Sequence, residues 1–148
     1  MVPAPPERPL QFIDARDLGE WLVGLAERDP PGTFNAASAR GQFTWGGLVH
    51  ALVAVARERG FAGPRGIPTP RWLDDATLIA HQVSPWTGLP LWLPESEADH
   101  AGFLEIDCRR AHAAGLAERA LGDAIRHTAD WLAERRSDGV WGLARAAG

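Results

Sequence analysis

The sequence predicts a mixed α/β fold, rich in helix, with a few short strands in separate small sheets. Three observations carry this. Leu18, Trp21, Leu22 and Leu25, then Leu48, Leu52, Val55 and Ala56, then Leu121, Ile125, Thr128 and Leu132 recur at helical spacing. The strand-like runs between them, LQFI, TFNAA and FLEI, are only four or five residues long. The order, strand–helix–strand–helix–helix–strand–helix–helix, mixes the two element types without a repeat.

Taken in order, residues 1–9 carry four prolines and are expected to form an extended or loose lead-in. Residues 10–136 form the expected domain. Leu10–Ile13 is the first strand candidate, and Asp14 follows as a helix N-cap, with Asp17 at capping-box spacing. Pro30, Pro31 and Gly32 stop that helix, and Thr33–Ala37 is a second strand candidate. Thr44 caps the next helix, which Gly60 closes. Asp74 or Asp75 caps a short helix reaching His81, and residues 84–94, SPWTGLPLWLP, form an ordered loop. Phe103–Ile106 is a third strand candidate. Asp107 caps a short helix ending at Gly115, and a last amphipathic helix follows. Residues 137–148 have weak periodicity and are expected to fray.

The 148 residues carry a net charge of −4, with 45% hydrophobic and 23% charged residues. That is one ordinary globular domain, able to bury roughly two-thirds of its unfolded surface. No basic stripe argues for nucleic acid, and no apolar run approaches the ~20 residues of a membrane span. The single Cys108 cannot form an internal disulfide and fits a reducing, cytoplasmic setting. The chain contains no Tyr, and all fifteen of its basic residues are Arg. No mechanism that needs a Tyr acid or a Lys amine can be assembled from it.

Gly60–Gly66, GFAGPRG, has the G-x-x-G-x-x-G spacing of some dinucleotide loops. Such a loop needs a strand before it and a helix after it, so that helix N–H groups face the pyrophosphate. Here a helix precedes it, Pro64 removes a donor and IPTPRW follows. The stretch is a helix cap plus turns, and no cofactor-binding residue is assigned. His50, His81, His100, His112, His127 and Cys108 show no metal-ligand spacing, so no metal site is assigned either. Cys108 follows Asp107, whose carboxylate would raise a thiol pKa and oppose nucleophilic use. Of the seven Trp, Trp21 and Trp131 are expected in the core, while Trp86 and Trp92 sit on the Pro-rich loop. Loop aromatics of this kind either wall a small-molecule pocket or close the domain's own core.

QFIDARDLGEWLVGLAER, GTFNAAS and FTWGGLVHAL, followed by PRWLDDATLIAHQVSPWTGLPLWLP, GFLEIDCRRAHAAGL and LGDAIRHTADWLAE, form an ordered series over residues ~8–136. This series resembles the C-terminal half of the extended short-chain dehydrogenase/reductases, the NAD-dependent epimerase/dehydratase group, in an actinobacterial-type branch. The resemblance implies a substrate lobe without its Rossmann core. TFNAA would join the edge of the Rossmann sheet, apart from a QFI/LEI strand pair in the lobe. Gln11, Phe12, Trp86 and Trp92 would border the substrate. Family members carry the glycine loop, a catalytic Ser or Thr and a Tyr-x-x-x-Lys pair in an N-terminal half. No position here can receive the last two, so no catalytic residue is assigned. NAD(P) is implied only for a complete homologue. Related nucleotide-sugar enzymes place an Arg where Leu10 stands, two residues from Arg8, which favours a less charged substrate.

MVPAPPERP falls where the middle of such an enzyme would lie, so the chain is expected to be a truncated or misassigned reading frame, a gene fragment or one half of a split enzyme. The expected partners are a small-molecule substrate and either a Rossmann-half chain or a second copy, docked on the helix at 44–59 and TFNAA. The alternative is a stand-alone small-molecule-binding or protein-interaction module.

Overall fold

A computed structural model of the chain describes residues 1–61, 66–100 and 102–137. These hold β1 (Val2–Pro3), β2 (Pro9–Leu10), α1 (Ala15–Arg28), β3 (Phe43–Thr44), α2 (Trp45–Glu58), β4 (Trp72–Leu73), α3 (Asp75–Ala80), a 3₁₀ turn (Ala98–His100), α4 (Arg109–Ala113) and α5 (Leu121–Ser137). The fold is mixed α/β, with two separate two-stranded sheets among the described residues. In one, β1 runs parallel to β4, with Val2 opposite Trp72. In the other, β2 runs antiparallel to β3, with Leu10 opposite Phe43.

Helix starts follow local chemistry. Asp14 accepts from the Arg16 N–H, Thr44 from Gly47 and Asp74 from Thr77. Gly60 closes α2 at φ 64°, donating to Arg57 O while Phe61 N–H reaches Ala56 O. That is a Schellman pair of bonds, which needs a left-handed residue. The rest of the glycine-rich stretch, residues 62–65, lies outside the described residues, as does the expected tail from residue 138 onward. Asp17 does not complete a capping box. It is buried, and it accepts from the Arg119 N–H at 3.0 Å and from Arg119 Nε at 2.5 Å. The residue before α4 is Cys108, which makes no side-chain cap, and Asp107 instead accepts from the Arg109 N–H.

The lead-in is not loose. Val2 and Pro3 are buried, and Val2 and Ala4 donate to Arg71 O and Leu73 O. A two-stranded ribbon tolerates Pro3 because its outer edge needs no N–H donor. Arg8 is only 7% exposed, and it forks onto Asp75 at 2.7 and 2.9 Å and donates to Leu93 O. Asp75 also accepts from Trp92 Nε1 and the Glu95 N–H, each at 2.8 Å. Burial works to raise its carboxyl pKa, and the bonds from Arg8, Trp92 and Glu95 more than offset this, holding it below the ordinary value.

Two expected strands are absent. Residues 33–37 and 103–106 are irregular. Side chains, not a neighbouring strand, take the polar groups of the first. Arg110 donates to Pro31 O and Thr33 O, and a His112 ring nitrogen meets Ala37 O at 3.2 Å. Residues 103–106 are tied to QFI by one side chain. Gln11 Nε2 donates to Ile106 O, and Gln11 Oε1 accepts from the Ile106 N–H, both at 2.8 Å. The amide thus makes the two bonds a strand partner would make. Gln11 Nε2 also donates to Ser38 O, and the Ser38 N–H donates to Phe12 O. The segment after TFNAA therefore lies against QFI instead of standing apart from it.

Apolar residues gather in two clusters. Val2, Leu10, Trp45, Val49, Leu78 and Trp92 form one. Trp21, Ala111 and Leu116 form the other, with Ile13 and Phe34 packed on it. Gln11, 6% exposed, lies in sequence between the members of each.

Two predictions follow from these anchors. Gln11→Met keeps volume but orphans the Ile106 N–H, and it should cost about 1–3 kcal/mol in urea unfolding. Gln11→Glu sets a carboxylate against two carbonyl oxygens and should cost more. Equal stability of both variants with the wild type would remove Gln11 from its role. Asp75→Asn should cost about 3 kcal/mol, the low end for breaking a buried pair, because Glu95 still faces Arg8 at 3.2 Å. The Asp75 carboxyl titrates lower folded than unfolded. Its contribution is complete above the ordinary carboxylate pKa of 3.8 and drains as pH falls through the folded value. Unfolding midpoints measured from neutral pH downward should fall less steeply below about pH 4 for Asp75→Asn than for the wild type. Parallel slopes would refute the linkage.

Candidate functional site

The start of α1, the apolar side of α2 and one face of α5 enclose an open groove of about 850 Å³. Each wall has a local cause. Phe12 is set by its bonds to Ser38 and by stacking on Phe43, with ring centroids 4.8 Å apart. On α2, the buried residues are Trp45, Gly46, Val49 and Val55. That face turns Leu48 and Leu52 toward the groove, with Leu52 45% exposed. On α5, the stripe Leu121, Ile125, Thr128 and Leu132 lines the opposite side. These stripes were expected as apolar helix faces, the one at 44–59 as a docking face for a partner chain. Helical spacing marks a face, and nothing in the spacing distinguishes a face covered by the chain's own core from one lining a groove.

The rim is polar. Asp14 and Arg16 stand at one end, with His127, Asp130 and Glu134 along α5. The Arg16 guanidinium beside Asp14 holds its carboxyl down to about 2, against some opposition from burial. Arg59 forks onto Asp130, and Arg126 bonds Glu58, so α2 and α5 are cross-linked beside the groove. Trp131 also lines the groove. It was expected in the core, yet it is 44% exposed, with the Arg135 guanidinium 5.0 Å from its ring centroid. Trp21, by contrast, is buried, with Phe34 edge-on to it.

The four expected substrate residues do not converge. Phe12 lines the groove. Gln11 is turned inward and spent on Ser38 and Ile106. Trp92 is fully enclosed in the first cluster. Trp86 is 45% exposed and meets Phe103 edge-to-face at 5.8 Å. The Trp86 N–H donates to Trp92 O, which ties the loop together, but neither indole lines the groove. Among the described residues, no group of three or more His, Cys, Asp or Glu converges as metal ligands, and no helix is long and apolar enough to cross a membrane.

The two loop indoles should part in their energetics. Trp92→Ala removes a fully buried ring and the bond to Asp75, and should cost about 3–5 kcal/mol in chemical denaturation. Trp86→Ala, at a half-exposed site, should cost under about 1 kcal/mol. Comparable losses for the two would overturn this assignment.

Comparison with protein-family models, with curated proteins and with solved structures gives no match to this chain.

Proposed function

We propose that the chain is a binding lobe, catalytically incomplete by itself, of the kind that seats substrate in NAD(P)-dependent epimerases, dehydratases and reductases. The groove between α1, α2 and α5 is its binding surface. One observation carries the reading: two helices present apolar stripes, and the space between those stripes is open. About 850 Å³ is within the range of small-molecule sites, and a mostly apolar wall with a few rim charges is their usual make-up. The rim pairs Asp14–Arg16 and Asp130–Arg59 are internally neutralised, which suits a weakly charged ligand. The reductase-like part of the reading rests on the ordered sequence resemblance. The chain brings no Tyr and no Lys, so hydride chemistry and NAD(P) belong to a complementary Rossmann half. A cytoplasmic setting goes with this reading and with one buried, unpaired cysteine.

The alternative is a stand-alone small-molecule-binding or interaction module. It is favoured by the same exposed stripe, since Trp131 and Leu132 at 44% and 42% exposure could dock another protein as readily as a metabolite.

Two measurements test the reading. Anilinonaphthalene sulfonate should bind with saturable fluorescence, and Leu52→Arg or Leu132→Arg should weaken it at least tenfold without changing the circular dichroism. Both positions are nearly half exposed, so the folded state tolerates the change. Undiminished binding in both variants would remove the groove. Calorimetry of the chain with NADH and NADPH should give no binding, and micromolar affinity would overturn the incomplete-lobe reading.

A further inference from the structure

Residues 84–92 form a loop held more tightly than its connecting role requires. Gly88 N–H and Leu89 N–H both donate to Ser84 O, and Trp86 N–H donates to Trp92 O. Trp92 is itself buried and bonded to Asp75. At Gly88 a Cβ would come within 2.9 Å of the Ser84 backbone. Trp86 takes φ 60°, a conformation that is a genuine outlier for a bulky residue. The result of this construction is a half-exposed indole facing outward. Phe103, 52% exposed, stands against it at an interplanar angle of 82°. Two aromatic walls at a right angle are thus presented to solvent from a pinned base.

Two other aromatic faces of the chain hold a guanidinium. Arg110 lies 4.9 Å over Phe34, and Arg135 lies 5.0 Å over Trp131. Among the described residues, no guanidinium is placed over Trp86 or Phe103 in this way. The charge around the pair has the sign that draws a cation. Residues 84–107 contain Glu95, Glu97, Asp99, Glu105 and Asp107, and no Arg. Arg8, Arg40 and Arg109 meet Glu95, Glu105 and Asp107, and His100 meets Glu97, so the negative surplus of this segment rests on Glu97 and Asp99. A cation over an indole or phenyl face is attracted by the ring quadrupole, most strongly over Trp.

We propose that the Trp86–Phe103 pair is a docking surface for an arginine side chain presented by an extended segment of a partner protein. The guanidinium stacks on the indole within the right angle that Phe103 closes, and the net negative charge of the segment that carries both rings favours its approach. This surface is separate from the groove, and its test is independent of the groove's occupant.

The probe is a short peptide, acetyl-Gly-Arg-Gly-Arg-Gly-amide, set against the same peptide with citrulline in place of arginine. The readout is the Trp86 indole N–H resonance, assigned by its loss in Trp86→Phe. The arginine peptide should move this resonance saturably, and the citrulline peptide should not. By this resonance Phe103→Ala should weaken binding at least tenfold, and by calorimetry with the same peptide Trp86→Leu should do so too, with melting temperature as the folding control. Both side chains are about half exposed, and Trp86→Leu keeps apolar bulk while removing the π-face. The proposal fails if the resonance stays still up to millimolar peptide. It fails equally if citrulline serves as well as arginine, or if neither substitution weakens binding.

Discussion

The fold depends on one side-chain amide. Gln11 donates to Ser38 O and Ile106 O and accepts from the Ile106 N–H, so it joins segments 27 and 95 residues away. Leu10, on one side of it, belongs to the first apolar cluster, and Ile13, two residues beyond, packs on the second. An amide at that seam would be costly without partners, since an unsatisfied buried polar group loses its hydration for nothing. With all three bonds made, it specifies register. Only one placement of residues 38 and 106 satisfies it. Strands two residues long cannot fix long-range order by themselves, so side chains do much of that work here. The arginine forks do the same at other junctions. Arg8 joins the N-terminal segment to α3, and Arg119 joins the chain before α5 to Asp17 on α1.

Where the deciding chemistry is local, the sequence is legible. Asp14, Thr44 and Asp74 cap the helices expected of them, and Gly60 ends α2 with a positive φ. Each of these choices involves bonds within about four residues, so no tertiary knowledge is needed. The strands were less legible. LQFI, TFNAA and FLEI have strand composition, but only Leu10 of these residues is in a ladder. A β-prone run becomes a strand when a second backbone meets it, and here Gln11, Arg110 and His112 reach the carbonyls instead. The Pro-rich start shows the opposite error. Proline marks where a donor is lost, and in a two-stranded ribbon that loss is harmless.

The candidate site was legible only in part, for a related reason. Phe12 was marked, and it lines the groove. Leu48, Leu52, Ile125 and Leu132 were also marked, but only as apolar helix faces, not as the walls of a groove. Periodicity shows that a face is apolar, and whether that face is covered depends on the distance between helices. Trp92 was marked as a pocket wall because it sits on a loop beside Trp86. Yet its indole N–H has a buried acceptor in Asp75, and its ring completes the first cluster. Two aromatics six residues apart thus take opposite roles, and composition offered no means of separating them.

The groove also places its own softest element beside the proposed ligand. None of the described side chains on α5 is fully buried. The helix lies against α2, its Leu121, Ala124 and Ile125 are only partly buried, and the Arg59–Asp130 and Arg126–Glu58 pairs tie the two helices together. Those ions are 33–50% exposed, and exposed pairs contribute only about 0–1 kcal/mol each, less at high salt. Local opening starts in elements with few buried apolar contacts. In this fold that description fits α5 far better than α1, whose Asp17 and Trp21 are both buried. A ligand seated between Leu52 and Ile125 would supply the apolar contact that the chain itself withholds. Binding in the groove and the ordering of α5 are then one process, and stabilising one stabilises the other through the same faces.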